Sequence, residues 1–374
     1  MSFRNFLERL EGDRERELAA ALALLSLNGI GPSRLKRWTT RVGQLSALWC
    51  GDRPARMKGW PQGGEVDMEV TKKIQHELEF IHKFQLGFCM WGEADYPQRL
   101  KNCPDAPYIL FFKGREKLEH ERHVAVVGTR NASEKARRFT LELIAGLAPY
   151  RPLIVSGLAL GIDTAAHRAA LDVGLPTAAV VGHGLDRIYP AANRDLAAEI
   201  VKQGYLLTEF PSGTLPDKQN FPRRNRIVAG LADAVVVVET SEEGGAMITA
   251  QMALTYQKEV FSVPGRPWEI QARGCNILIK NRTAELLTGP EDLIQALNWD
   301  TLFFKSTTDR QNHHLSLSPE EQEVVSLLGQ CSPCHLEELG QRTHLSPASL
   351  ASALLSLEIN GIIRALPGRQ YELA

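Results

Sequence analysis

Six short apolar runs, separated by helical patterns, most constrain how this chain folds. They are rich in valine, isoleucine and leucine and do not alternate with polar residues. A strand that is apolar on both sides must be covered on both sides, and the intervening helices provide that cover. The pattern therefore predicts an α/β fold with a doubly wound, mainly parallel sheet. The predicted strands are HVAVVGTR, PLIVSGLA, TAAVVGHG, YLLTEF, AVVVVET and EVFSVPG.

The patterns on either side of this region differ from it, so the 374-residue chain is predicted to contain several units. Helical runs such as ELAAALALLSL fill residues 1–82, and the alternation of strands and helices occupies residues 83–300. Residues 301–315 break the periodicity and are predicted to be a linker. Residues 316–374 show three helical patterns and a hairpin with Pro367-Gly368 at its turn, which predicts a winged helix.

Composition narrows the classes of function without choosing one. The formal net charge is −1, so only local clusters of charge bear on nucleic-acid binding. The charged N-terminus lacks the apolar core of a secretory signal, and no apolar run approaches the ~18 residues of a membrane span. The six cysteines are spread thinly, as in reduced cytosolic proteins. These features predict a cytoplasmic protein.

One segment departs from this neutral background. KQNFPRRNRIVAG, residues 218–230, contains four cationic side chains and no acidic one. It is either a solvated helix face or a site for an anionic ligand. Cations beside an aromatic ring such as Phe221 are the combination that binds single-stranded nucleic acid. Within the segment, Arg226 is the side chain for which a structural hydrogen bond or ion pair is favoured.

Two strand ends have the composition of an anion site. Gly128 allows close backbone approach, Arg130 has a guanidinium suited to phosphate, and Ser133 is placed to cap the next helix or bind an oxygen. Gly244 and Gly245 follow AVVVVET and begin a helix with bare amides. Each segment alone is also compatible with ordinary strand–helix packing. The G-x-G-x-x-G and P-loop patterns are absent at these turns, so no cofactor and no ATP hydrolysis are expected.

A carboxylate and an imidazole lie four residues apart in SGLALGIDTAAH. Asp163 and His167 therefore share a helix face, which is compatible with a catalytic pair. No G-x-S-x-G elbow accompanies them, and the favoured interpretation is a capping Asp163 and a packed His167. No catalytic residue is predicted.

The flanking units carry further signals. LNGIGPSRLKRWTTR resembles a helix-hairpin-helix, which makes Arg34, Lys36 and Arg37 auxiliary candidates for DNA contact; the alternative is plain domain packing. The C-terminal unit has seven glutamates and three arginines, and its net charge of −4 predicts a protein partner rather than DNA. CSPCH, residues 331–335, matches the haem attachment signature but is predicted to be a turn into a helix, and no metal site is expected.

Several motifs occur together in the order and spacing of one family. VGTRNAS, SGLALGIDTAAH, VVGHGLDRIYPAANRDL, TEFPSG, NFPRRNRIVAGLADAVVVVE, GGAMITAQMAL and EVFSVPG resemble the DNA-processing protein A (DprA/Smf) family. The resemblance covers roughly residues 85–295, and the flanks agree more loosely. It implies an extended Rossmann-like fold that binds single-stranded DNA without catalysis. It also implies a homodimer that loads the RecA recombinase during natural transformation.

The resemblance further implies which residues bind the strand. The matching positions lie at three strand ends and in the cationic segment. They are Gly128, Arg130, Ser156, Gly157, Lys218, Phe221, Arg223, Arg224, Asn225, Gly244, Gly245 and Ala246. Two departures stand out: GGAMITA replaces the SGSLITA of many members, and Ile277 replaces an arginine, so the latter loop is assigned no contact.

The alternative function is a nucleotide-binding or phosphoribohydrolase-type enzyme on a related fold. Those enzymes carry the signature PGGxGTxxE. In this chain Met247 stands in place of the second glycine and Gln251 in place of the catalytic glutamate. The two replacements argue against nucleotide hydrolysis.

Overall fold

The computed structural model divides the chain into two compact units, residues 1–300 and 301–374. The structure describes residues 2–49, 66–114, 120–299, 318–329, 333–359, 362–366 and 368–373. The predicted linker and Pro367 lie outside these ranges, and so do the first two residues of CSPCH. Each unit is described by itself.

Helices at the N-terminus pack against one edge of the sheet. They are α1 (Phe3–Arg9), α2 (Asp13–Leu25), α3 (Pro32–Val42) and α4 (Met68–Phe84), with a short 3-10 turn at Ser46–Leu48. Leucines and alanines of α2 form one apolar cluster with Ile109 and Phe111 of the sheet. The predicted boundary at residue 82 falls within α4, and the helices share one compact unit with the sheet.

Among the described residues, nine strands form a single mixed sheet in the order β1-β2-β6-β5-β4-β3-β7-β8-β9. The pairs β1–β2 and β2–β6 are antiparallel, and the others are parallel. The strands are β1 (Gly87–Met90), β2 (Ile109–Gly114), β3 (His123–Val127), β4 (Leu153–Ser156), β5 (Thr177–Val180), β6 (Tyr205–Thr208), β7 (Ala234–Val237), β8 (Glu259–Ser262) and β9 (Glu285–Leu286).

Helices cover both faces of this sheet. They are α5 (Gln98–Lys101), α6 (Glu134–Leu147), α7 (Ile162–Asp172), α8 (Arg194–Gln203), α9 (Asn220–Leu231), α10 (Gly245–Thr255), α11 (Arg273–Lys280) and α12 (Pro290–Ala296). Alternate residues of β3 pack on opposite sides: Val124 and Val126 join the cluster with α6 and α7, whereas Ala125 and Val127 join that with α9 and α10. The predicted α/β fold with a doubly wound, mainly parallel sheet is therefore confirmed.

The order of the strands determines where a ligand fits. The chain leaves β3 for α6 on one face and leaves the adjacent β7 for α10 on the other. The carboxyl ends of β3 and β7 therefore form a topological switch point, where open α/β sheets bind their ligands. The cationic segment begins α9, close to this edge, because α9 precedes β7 and runs opposite to it.

The C-terminal unit is the predicted winged helix. Its elements are α13 (Pro319–Leu328), β10 (Cys334–His335), α14 (Leu336–Arg342), α15 (Pro347–Ile359), β11 (Ile363–Leu366) and β12 (Gln370–Leu373). Strand β12 pairs with both β10 and β11. His335 caps α14 because its Nδ1 accepts from the Glu337 amide at 3.3 Å, which matches the predicted turn into a helix. In the described part of the chain, no helix is long and apolar enough to cross a membrane.

Two buried histidines make the stability of the sheet unit depend on pH. Burial lowers the pKa of His123 and of His167 to about 3. The unfolded chain binds a proton at each site below pH ~6.5 and the native protein does not, so stability falls as the pH drops from 6.5 towards 3. We expect a loss of about 2 kcal/mol per histidine at pH 5 relative to pH 7.5. Urea unfolding at the two pH values measures it.

The matched variant for this prediction is His167→Gln. An amide can replace the imidazole Nδ1 that lies 2.7 Å from Thr177 Oγ1, and it does not titrate. The loss of stability on acidification should be about 2 kcal/mol smaller in the variant. An identical loss in both proteins would rule out His167 as a source of the pH dependence.

Candidate functional site

A cleft of about 520 Å³ opens at the switch point, and we call it the switch-point cleft. Its wall comes from the ends of β3 and β7, the loop after β4, and the starts of α9 and α10. Nine of the predicted site residues line it. They are Gly128, Arg130, Lys218, Phe221, Arg224, Asn225, Gly244, Gly245 and Ala246.

The start of α10 supplies an electropositive wall of backbone amides. Gly244 is the N-cap residue, and no side chain caps the helix, which begins at Gly245 as the sequence predicts. A Cβ atom at Gly245 would meet no protein atom within 4 Å, so internal packing does not demand a glycine there. The surface of Gly245 is free for close approach by a ligand, and an 11-residue helix directs its positive end to that place.

Arg224 is a buried cation at the base of the cleft. The residue is only 6% exposed, and its Nη1 lies 3.9 Å from Asp163 Oδ2. Its Nε is buried without a hydrogen-bond partner among the described residues. Burial lowers the pKa of Arg224, an effect that Asp163 counteracts, and burial likewise raises the pKa of Asp163. Arg224 thus places positive charge at the base of the cleft, although its Nε is enclosed in the protein.

Gly157 leaves the space that the Arg224 side chain occupies. A Cβ atom at this position would overlap the Arg224 guanidinium, so only glycine leaves room for the buried side chain. Ser156 is fully buried, and its hydroxyl donates to the Val126 carbonyl at 2.6 Å. The structure therefore places both residues beneath the cleft and not on its surface.

Phe221, Arg130 and Lys218 form the rim of the cleft. The Arg130 guanidinium carbon lies 5.2 Å from the centre of the Phe221 ring, within the range of a cation–π contact. Arg130 and Lys218 are exposed, and Asn225 is half-buried, with its Nδ2 3.5 Å from the Gly245 carbonyl. Two exposed cations and one buried cation thus line the same cleft as an aromatic ring.

Arg223 lies outside the cleft lining, although the sequence grouped it with Arg224. Its side chain is 56% exposed, and its Nη2 is 3.4 Å from Glu209 Oε2. The guanidinium carbon lies 4.8 Å from the centre of the Phe210 ring. One residue along a helix rotates the side chain by about 100°, which separates the two arginines.

Arg226 is structural, as the sequence favoured. It is buried, donates to the Asp105 carbonyl, and pairs with Glu209 through an Nη2–Oε2 distance of 2.5 Å. The Glu209 side chain is itself buried. The pair ties α9 to the end of β6 and to the segment before β2.

Asp163 and His167 do not form a catalytic pair. The Asp163 carboxylate accepts from the Ala159 amide at 3.2 Å and faces Arg224, whereas the His167 Nδ1 lies 2.7 Å from Thr177 Oγ1. Ser133 takes the capping role, since its hydroxyl accepts from the Ala136 amide at 3.1 Å. The packed His167 is as predicted, and Ser133 takes the capping role, one of the two that the sequence offered. The predicted capping role of Asp163 is wrong, because Gly161 is the N-cap residue of α7 and no side chain caps that helix.

The auxiliary candidates lie on α3, away from the cleft lining. Lys36 is half-buried, with its Nζ 5.7 Å from the centre of the Trp91 ring. Burial, with a smaller contribution from Arg226, lowers the pKa of Lys36. Arg34 is half-buried and Arg37 is exposed. A role for the three in DNA contact stays a prediction.

Sequence reasoning missed several polar residues of the cleft. Thr129, Thr240 and Ser241 line it and directly follow β3 or the extension of β7. The sequence did contain a signal for these residues, namely that each follows a predicted strand. The carboxyl ends of parallel strands lie at one edge of the sheet, so polar residues there are candidates for a shared site. Among the described residues, no group of three metal-ligating side chains is present.

The fold and this cleft define a Rossmann-like binding protein whose switch point is suited to an anion. Residues 87–298 match the family model of DNA recombination-mediator protein A, and residues 310–369 match the DprA winged helix domain. The chain belongs to the DNA recombination-mediator protein A (DprA) family.

Individual relatives agree with this membership. Protein Smf of Synechocystis sp. is 32% identical over 95% of this chain and 98% of its own length. The X-ray structure of DprA from Streptococcus pneumoniae has a TM-score of 0.62 at 31% identity, covering 76% of this chain and 98% of that one. DNA processing protein A from Helicobacter pylori, whose structure concerns a single-stranded DNA binding mode, has a TM-score of 0.53 at 31% identity over 58% and 97%.

The two arginines that share Glu209 should differ sharply in their effect on stability. Arg226→Met leaves a buried carboxylate without its cation, which costs about 3–5 kcal/mol. Arg223→Met, its matched control in the same helix, removes an exposed and longer contact and should cost less than about 1 kcal/mol. Urea unfolding at pH 7.5 measures both values, and equal losses would contradict the structural role of Arg226.

Proposed function

We propose that this chain is a cytoplasmic protein that binds single-stranded DNA in the switch-point cleft. It protects the strand and loads the RecA recombinase onto it during natural transformation. The observation that carries the proposal is the meeting of Arg130, Lys218 and buried Arg224 with the uncapped start of α10 in one cleft. The single-stranded DNA binding mode of the H. pylori relative supports it.

The cleft offers what a single strand needs. Phosphates require cations and amides, and exposed bases require a flat apolar surface. Of the residues that line the cleft, Asp163 is the single acidic one, and Arg224 already faces it. A phosphate at the Gly245 amide would lie beside Phe221, so the same cleft would hold backbone and base. Arg223 contributes from outside the cleft, and Arg34, Lys36 and Arg37 are auxiliary contacts.

The function we infer is binding without catalysis. His167, the candidate base four residues after Asp163, is fully buried, and burial lowers its pKa to about 3. Such a group neither reaches a ligand nor titrates near neutral pH. Gln251, which stands where related hydrolases have a glutamate, cannot transfer a proton. Release of free base from nucleoside monophosphates would favour the hydrolase alternative instead.

We infer a protein partner for the C-terminal unit. Its third helix, α15, exposes Ala351, Ser352 and Leu355, a face without cations. Helices that enter a DNA groove carry basic side chains. With a net charge of −4, residues 316–374 are suited to a basic protein surface.

We also infer a homodimer formed through the sheet unit. Large apolar side chains that follow β8 are unusually exposed: Trp268 at 72%, Ile270 at 64% and Leu286 at 50%. Leu286 belongs to β9, the strand at the end of the sheet. Exposed apolar groups of this size are typical of protein interfaces.

Charge and backbone contributions to binding can be separated by two variants. Arg130→Ala removes a phosphate contact, so it should weaken binding of an oligothymidylate at least tenfold and reduce the salt slope by about 0.7. Gly245→Ala places a methyl group against the bound phosphate, so it should weaken binding without changing that slope. Fluorescence anisotropy at several salt concentrations measures both quantities.

The matched control is Arg138→Ala. Arg138 is an exposed arginine of α6 that pairs with Glu142 and does not line the cleft. Its loss should leave affinity within twofold. Wild-type affinity in both Arg130→Ala and Gly245→Ala would contradict binding in the switch-point cleft.

Delivery to the recombinase has its own readout. Single strands coated with the wild-type chain should support RecA-dependent ATP hydrolysis with a shorter lag than strands without it. Arg130→Ala should restore the long lag, because the strand is no longer held. A lag that the wild-type chain leaves unchanged or lengthens would contradict loading and leave DNA binding untouched.

A further inference from the structure

Helix α3 presents a cationic face to solvent. Every exposed residue of this helix has a cationic or hydroxyl side chain. These residues are Ser33, Arg37, Thr40 and Arg41. Arg34 is half-buried and lies one turn before Arg37, so three arginines share one side of the helix. We call the surface formed by Arg34, Arg37 and Arg41 the α3 face.

No carboxylate neutralises the α3 face in the part of the chain that the structure describes. None of its three arginines makes an ion pair there, and residues 18–51 contain no acidic residue. Exposed arginines of other helices do pair with a glutamate one turn away, as in Arg4–Glu8 and Arg138–Glu142. The α3 face is therefore an uncompensated positive patch.

The charges of the α3 face do not stabilise the helix that bears them. Like charges three or four residues apart repel each other, and Arg37 has one such neighbour on each side. Arg34 lies in the first turn of α3, where there is no acidic residue and where a cation opposes the helix dipole. Folding does not account for this arrangement, whereas an anionic partner does.

The composition of the α3 face indicates which anionic partner it fits. Protein interfaces have an apolar or aromatic centre, and a single strand needs an aromatic surface for its bases. The exposed residues of α3 offer neither, because Trp38 is buried. The neighbouring Trp91 is half-buried, and the Lys36 Nζ lies 5.7 Å from the centre of its ring. A DNA duplex keeps its base faces stacked inside and presents its phosphates, which arginine and hydroxyl groups bind.

The length of the α3 face agrees with a duplex backbone. Arg34 and Arg41 are about 10 Å apart along the helix axis, at 1.5 Å per residue. One strand of B-DNA carries about three phosphates over that length. Three arginines can therefore each meet a phosphate of the same strand.

A chain of contacts leads from the switch-point cleft to α3. Arg224 lines the cleft, and the adjacent Arg223 extends outside it towards Glu209. Glu209 also pairs with Arg226. Arg226 in turn lies near enough to Lys36 of α3 that its charge, together with burial, lowers the pKa of that lysine. DNA that leaves the cleft over Arg223 therefore comes close to α3.

We propose that the α3 face is a binding site for duplex DNA, and that the chain holds junctions between single-stranded and double-stranded DNA. The single-stranded part lies in the switch-point cleft, and Arg34, Arg37 and Arg41 bind phosphates of the adjoining duplex. The proposal specifies what the auxiliary contacts of α3 hold, and it adds Arg41 to them. This inference rests on the proposed binding of single-stranded DNA in the cleft.

The test compares a labelled oligothymidylate with tailed hairpins, in which the same strand is joined to a DNA hairpin at its 5′ end or its 3′ end. The wild-type chain should bind at least one tailed hairpin about fivefold more tightly than the oligothymidylate, because it also binds duplex phosphates. The salt slope should be steeper by about 0.9 for each duplex phosphate that is contacted. Fluorescence anisotropy at several salt concentrations measures both quantities.

The double variant Arg37→Ala, Arg41→Ala tests the α3 face. The ratio of its affinities for the tailed hairpin and the oligothymidylate should fall to within about twofold of one, and the extra salt slope should be lost. The ratio cancels any effect of the variant on the single strand itself. Because the substitutions relieve repulsion within α3, the unfolding midpoint should not fall.

The matched control is Arg138→Ala, Arg168→Ala. It removes two exposed arginines from α6 and α7 and so changes the net charge by the same amount. Its affinity ratio should stay within about twofold of the wild-type ratio, because the lost charges lie outside the α3 face. Arg130→Ala, in the cleft, should weaken binding of both probes and preserve the ratio.

The outcomes distinguish this inference from the proposed function. Equal wild-type affinity for the oligothymidylate and both tailed hairpins would overturn the duplex site while strand binding in the cleft stands. A wild-type ratio in the α3 variant would also overturn it, and would leave an acidic protein as the partner of this face. Failure of the wild-type chain to bind any probe with a single-stranded part would overturn the proposed function itself.

Discussion

A guanidinium enclosed beneath the ends of parallel strands is the constraint on which the site depends. Arg224 occupies space that only a glycine at position 157 leaves open, and Asp163 is its nearby counter-charge at 3.9 Å. One carboxylate at that distance does not satisfy a buried guanidinium, whose Nε is unpaired. Burial of this charge therefore costs free energy, which Asp163 offsets only in part. Gly157, Asp163 and Arg224 come from separate segments, and the strand order brings them together.

Helix α9 illustrates how one cationic segment serves different purposes. Arg224 faces the cleft, Arg226 ties the helix to Glu209, and Arg223 extends over Phe210 to solvent. The three directions follow from 3.6 residues per helical turn. The ion pair between Arg226 and Glu209 holds α9 in place. Arg224 and Phe221 therefore keep their positions in the lining of the cleft. Within three residues, the helix thus contains one side chain that lines the cleft and one that holds the fold together.

Much of the fold could be predicted because burial leaves a clear pattern. A strand covered on both sides, such as Val124 to Val127, has to be apolar throughout, and Gly128 and Gly244 mark where the chain turns at the sheet edge. The site was predicted less completely. Ser156 lies below the surface and Arg223 lies outside the cleft, because a sequence motif does not show which way a side chain points.

The sequence by itself determined the class of fold, the switch-point edge and the family, since these depend on hydrophobic periodicity and on glycine and arginine at fixed spacing. It also favoured a structural Arg226 and a non-catalytic His167. Only the tertiary structure decided that Arg224 is buried over Gly157 and that Arg130 lies on Phe221. Each of these contacts joins segments that are far apart in the chain. Local sequence propensities do not specify the distance between such segments, so the contacts could not be predicted.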